Sequence, residues 1–90
     1  MASNPYMTKT EALLRQGRAK LEGLRARTEK AGAETRTSAE KRLKDFEARY
    51  ADVSRRFEEL RNAGTHGLAE IKIGLEKAWE RFASEISRAQ

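Results

Sequence analysis

Catalysis by side chains needs a nucleophile, a base and a group that orients the base, and this sequence offers few of these parts. Its one histidine, His66, stands beside Gly67 with no nucleophile or orienting carboxylate suggested nearby. It reads as a turn histidine at a helix start. Cysteine is absent, which removes disulfides and thiolate metal sites. A di-metal helical bundle would need Glu-x-x-His pairs on facing helices, and the chain has none. Its acids instead stand four residues before a base, as Glu11–Arg15, Glu40–Lys44, Asp45–Arg49 and Asp52–Arg56. That order and spacing belongs to a solvated helix surface. Gly17, Gly23, Gly32 and Gly74 are scattered singly, with no strand before them to build a phosphate loop. They are expected to admit a close helix or to soften the one they sit in. No catalytic, cofactor-binding or metal-binding residue is assigned, and the chain is not expected to be an enzyme.

The elements that carry these residues are helical. The 90 residues are 38% hydrophobic and 37% charged, rich in Ala, Glu, Arg, Leu and Lys, with a single proline at position 5. This is the composition of long helices and coiled coils, in a chain near the lower size limit for burying its own core. Residues 1–7 read as a disordered leader, and Thr8 with Glu11 has the spacing of a capping box. Thr10, Leu14, Gly17, Leu21, Leu24, Thr28, Ala31 and Thr35 then follow in alternating threes and fours. The seam resumes as Ala39, Leu43, Phe46, Tyr50, Val53, Phe57, Leu60 and Gly64. Between Ala31 and Leu43 three fours fall in succession, the seam residues are small, and Gly32 and a Thr37–Glu40 capping-box spacing lie close by. A break between Gly32 and Thr37 is the alternative to an unbroken helix.

A stronger interruption is Asn62-Ala63-Gly64-Thr65-His66-Gly67, where Gly64 suits a left-handed C′ position and Thr65 a helix cap. Against it stands an eleven-residue recurrence, Phe46, Phe57, Leu68, Trp79 and Leu60, Ile71, Phe82, which keeps phase across the stretch. Beyond it, Leu68, Ile71, Leu75, Ala78, Trp79, Phe82 and Ile86 share one face within about 100° of arc, while Ile73 points elsewhere. A face this apolar must find a partner.

The fold class expected is all-α. A helix over 8–62, about 80 Å long, a turn at 63–66 and a helix over 67–89 would form an asymmetric coiled-coil hairpin. Its uncovered first half would need a second chain. The alternative is a three-helix bundle with the further break near Gly32. The contact residues expected are Leu43, Phe46, Tyr50, Val53, Phe57, Leu60, Leu68, Ile71, Leu75, Trp79, Phe82 and Ile86.

The net charge of +5 lies mostly in residues 1–30, where seven Lys/Arg meet three Glu. Arg15, Arg18, Lys20, Arg25, Arg27 and Lys30 could hold phosphates by counterion release. Glu11, Glu22 and Glu29 interrupt the run, however, and no aromatic interleaves for base stacking. The last segment balances four acids against four bases, unlike the Lys/Arg-rich polar face of a membrane-surface helix. Nucleic-acid binding and lipid-surface binding are therefore the alternatives to protein–protein interaction. No apolar run approaches the length of a membrane span, the first residues lack a signal-peptide pattern, and a cytoplasmic location is expected.

Glu11-Ala12-Leu13-Leu14 through Ala19-Lys20-Leu21-Glu22 to Lys30-Ala31-Gly32-Ala33-Glu34, with Ile71-Lys72-Ile73-Gly74-Leu75-Glu76-Lys77-Ala78-Trp79, resembles a group of small bacterial coiled-coil proteins linked to stress responses. The resemblance implies a bacterial, non-enzymatic helical protein tied to stress conditions; from the residues themselves, the Leu43–Leu60 seam and the Leu68–Ile86 face are expected to serve self-association or docking to a helical partner. The glycines at 62–67 and the net basic charge depart from the group's pattern.

Overall fold

The computed structural model describes residues 5–63 and 67–89, all of them helical apart from the links. Three helices follow in order: α1 (Pro5–Lys30), α2 (Ala33–Ala63) and α3 (Leu68–Ala89). The all-α class is thus as expected, but the long helix over 8–62 is not. It breaks at Ala31-Gly32, and the molecule measures 50 × 21 × 18 Å, the long axis being set by the 31 residues of α2.

The break has a local and a tertiary cause. Gly32 is costly inside a helix, by about 1 kcal/mol relative to Ala. Here it caps α2, its carbonyl accepting from the Arg36 N–H at 2.9 Å and the Thr35 N–H at 3.2 Å. The Thr35 hydroxyl donates to the same carbonyl at 3.3 Å, and α1 closes with Ala31 N–H donating to the Thr28 carbonyl. The cap of α2 is therefore Gly32, and Thr37 lies inside the helix. Little apolar contact is lost by bending where the seam residues are Ala31, Thr35 and Ala39. Much is gained, because folding back lays Leu14 and Leu21 against the aromatic side of α2 instead of leaving them in water. A two-residue link of this kind makes antiparallel neighbours.

The start of α1 also departs from expectation. Pro5, Tyr6 and Met7, placed in the leader by the sequence, are helical. Proline is suited to the first turn, where its missing N–H would have had no partner, and Thr8 lies inside the helix instead of capping it. At the second link α2 ends with Ala63. The expected roles of Gly64, Thr65 and His66 lie outside the described residues. Gly67 adopts φ 63°, the left-handed region that glycine enters freely, and its carbonyl accepts from Ile71 N–H at 3.0 Å. The helix therefore does not run from α2 into α3, and the eleven-residue recurrence reflects two helices that share a core.

α2 is the central element: α1 and α3 both pack chiefly on it. Arg49 of α2 meets Glu85 of α3, while Arg56 lies beside Gly74, so α2 and α3 are antiparallel. Tyr6 meets Glu76 and Gly17 meets Phe82, so α1 and α3 are parallel. The core is Leu21, Phe46, Val53, Phe57, Leu60, Leu75, Phe82 and Ile86, with Phe82 and Ile86 wholly enclosed. Buried Thr10 and Thr28 satisfy their hydroxyls on the Tyr6 and Leu24 carbonyls, each at 2.8 Å. No buried side-chain nitrogen or oxygen among the described residues lacks a partner.

Candidate interaction surface

All twelve expected contact residues are brought together, but by the chain itself. Phe46, Val53, Phe57, Leu60, Leu75, Phe82 and Ile86 are buried, and Leu43, Tyr50, Leu68, Ile71 and Trp79 pack half-buried against them. The apolar face of α3, expected to need company, finds it in α2. The hairpin's uncovered first half is likewise covered, since α1 lies on the same helix. Self-association is not required to close this core.

Several residues join these contacts that the expected set omits. Gly17 is the closest approach: a Cβ there would come within 3.0 Å of Phe82 Cε2 and 3.3 Å of Trp79 and Tyr50 ring carbons. Tyr50 is anchored by its hydroxyl, which donates to the Leu14 carbonyl at 2.9 Å, and the tilted Tyr50–Phe82 and Trp79–Phe82 pairs have centroids 5.6 and 5.7 Å apart. The signal was the glycine's place in the seam. Gly74 faces the Arg56 guanidinium, whereas Gly23 and Gly32 have nothing within 4 Å, so close approach is not their role.

The surface ion pairs differ from those read by spacing. Of the four expected pairs only Asp52–Arg56 forms, at 3.0 Å, and Asp52 also takes Arg55 at 2.6 Å. These guanidinium hydrogen bonds, Arg55 first, hold the Asp52 carboxyl below its ordinary value against partial desolvation. Arg49 passes over Asp45 to reach Glu85 on α3 at 2.8 Å, and Arg25 joins Glu22 of its own helix to Glu47 of α2. Near the other end Tyr6 bridges α1 to α3. Its hydroxyl donates to Glu76 at 3.2 Å and its ring lies under the Lys72 ammonium at 4.6 Å. Desolvation, with the Glu76 charge second, pushes the Tyr6 phenol up.

What remains open lies where the helices are of unequal reach. α3 ends at Ala89 beside Phe46, while α1 and α2 run on to their link. The groove between them, filled by α3 lower down, is here a hollow of about 160 Å³ lined by Leu24, Thr28, Ala39, Leu43, Phe46 and Ala89. Pockets for drug-sized ligands begin at about 300 Å³, so this one suits single apolar side chains. Its two charged walls are both cationic, Arg27 from α1 and Arg42 from α2. Neither has an ion-pair partner among the described residues. No group of three or more potential metal ligands occurs among the described residues, and no described helix is long and apolar enough to cross a membrane.

No protein-family model, no curated protein and no solved structure matches the chain.

Proposed function

We propose that this chain is a non-catalytic helical interaction protein that receives an amphipathic helix from a partner in the α1–α2 groove beyond the end of α3. The observation that carries this reading is the open hollow itself. Leu24, Ala39 and Leu43 continue the packing face that α3 covers further along, and they are only half-buried. A helix laid there on the line of α3 would bury them as Ile86 and Phe82 bury their neighbours, by the helix-in-groove mode of recognition.

Charge selects the kind of helix. Arg27 and Arg42 flank the groove without acidic partners, so a helix with Asp or Glu beside its apolar stripe is favoured. A second copy of this chain docking the same groove about a two-fold axis would set these arginines against their own images. Interaction with a different helical protein is therefore preferred to self-association. The non-catalytic part of the reading is supported by Asp52, Glu22 and Glu47 being held in surface ion pairs.

The test is titration calorimetry with two designed amphipathic peptides sharing one leucine stripe, flanked by Glu in one and by Lys in the other. The acidic peptide should bind the wild-type chain and fail to bind Leu43→Asp, while the basic peptide binds neither. Equal binding of both peptides, binding of neither, or acidic-peptide binding that survives Leu43→Asp would each sink the reading.

A further inference from the structure

The basic segment of α1 is interrupted in sequence by Glu11, Glu22 and Glu29, but the helix sorts the two signs apart. At about 100° per residue the three glutamates fall within about 20° of one another, on the flank that faces α2. Glu11 lines a hollow there with Arg15, Arg18, Tyr50 and Arg61, and Glu22 shares Arg25 with Glu47 of α2. Lys9, Lys20 and Arg27 fall within about 20° of one another on the far flank, roughly 160° away, with Lys30 about 60° back toward the glutamates. All four are exposed, and none has an ion-pair partner among the described residues. Between them the helix shows Gln16 and Gly23, and beside Lys30 Ala19 and Ala26, all exposed. The result is a low cationic strip about 30 Å long on α1 with no acid of that helix in it. At Lys9 it borders acids of another element, Glu76 and Glu80 of α3.

We infer that this strip binds the phosphate backbone of duplex nucleic acid without regard to sequence. A protein partner would draw little from it, because the strip holds no aromatic or large aliphatic side chain to form the desolvated centre of an interface. A lipid surface needs apolar insertion, and the exposed large hydrophobic residue, Ile73, is on α3. Single strands are held by aromatic stacking, for which the strip has no ring. Regularly placed charge with nothing else is what a phosphate backbone requires. The strip shares Arg27 with the groove, but the variants below leave Arg27 in place, so the two readings can fail separately.

Fluorescence anisotropy with a labelled random-sequence DNA duplex, followed over a salt series, tests it. Four phosphate contacts give an affinity that falls about 150-fold between about 50 and 200 mM salt. Neutralising two of them in Lys20→Gln/Lys30→Gln should reduce that fall to about 12-fold. Arg15→Gln/Arg18→Gln removes the same charge from the opposite flank and should leave the salt dependence as it was. No retention at the lowest salt overturns the inference, as does an unchanged slope in the Lys20/Lys30 variant. An equal change in both variants overturns it too, by showing that net charge alone is felt. Binding to phosphatidylserine vesicles in place of the duplex would assign the strip to lipid instead.

Discussion

Gly17 sits where rings from α2 and α3 converge on α1, and its worth can be separated from helix propensity by comparison with Gly23. Both are interior helix glycines, but an added methyl at Gly23 meets nothing within 4 Å. Gly23→Ala should therefore stabilise the chain by about 0.5–1 kcal/mol. Gly17→Ala should destabilise it by about 1 kcal/mol, because three rings on two other helices cannot all withdraw and overpacking exceeds the propensity gain. Urea midpoints with unchanged slopes would show both. Truncating the enclosed ring in Phe82→Ala is expected to cost about 3–5 kcal/mol, read in the same way. At Asp52 the sign of the pH effect follows from its lowered pKa. Its contribution is complete above the unfolded-state value and is lost as pH falls through the folded value, in acid below about pH 4. Asp52→Asn should cost only a few tenths of a kcal/mol at neutral pH, as partly exposed ion pairs do, and should flatten the acid side of a pH–melting profile. Which residues face inward was readable from periodicity, since a seam is a property of spacing. Which acid a given base chooses was not: Arg49 prefers Glu85, a residue of another helix, and nothing in an i to i+4 pattern records a neighbour brought in by folding.

At the scale of elements, helix existence was legible throughout, and helix ends less so. The link after α2 announced itself through two glycines and an asparagine, but the left-handed conformation, expected at Gly64, is seen at Gly67, which was expected to open the last helix. Gly67→Ala should cost about 1 kcal/mol or more, because an L side chain resists that region, with the loss seen as a lower urea midpoint. The link after α1 was foreshadowed by three successive four-residue steps and by small seam residues, yet no proline or glycine pair required it. Tertiary burial decided the matter. An unbroken helix would have left Leu14 and Leu21 in water, and a bend at Ala31-Gly32 places both on α2. The open groove was legible only in part. Leu43 was expected to make contacts, but that Arg27 of α1 and Arg42 of α2 would stand at the walls of its hollow depends on how α1 folds back on α2, which spacing along one helix does not record.

For the whole molecule, the radius of gyration of 15.1 Å exceeds the roughly 12 Å expected of a compact 90-residue globule. It is nonetheless far short of a molecule built on a rod about 80 Å long. Solution X-ray scattering should give a value near the former and exclude the rod. Hydrogen exchange should rank the helices by their burial. The centre of α2, covered by both neighbours, is expected to be slowest, and the segment from Leu24 to Leu43, covered by one, fastest among the interior amides.

The link between α1 and α2 is only Ala31 and Gly32, and its brevity has a consequence for pairs of molecules. If it straightens, α1 and α2 become one helix, and α1 leaves its own bundle to lie on the α2 of a second chain. The contacts of α1 are then remade across chains while α2 and α3 stay packed within each, so the two arrangements differ chiefly in the conformation of two residues. This is the condition for domain exchange. Gly32→Ala removes about 1 kcal/mol of resistance to helix at the hinge and is expected to raise the fraction of dimer at high concentration, with helix content by circular dichroism unchanged. Size-exclusion chromatography with light scattering would reveal it. The long helix suggested by the heptad spacing would then be the exchanged state of this fold, separated from the three-helix form by the cost of one turn.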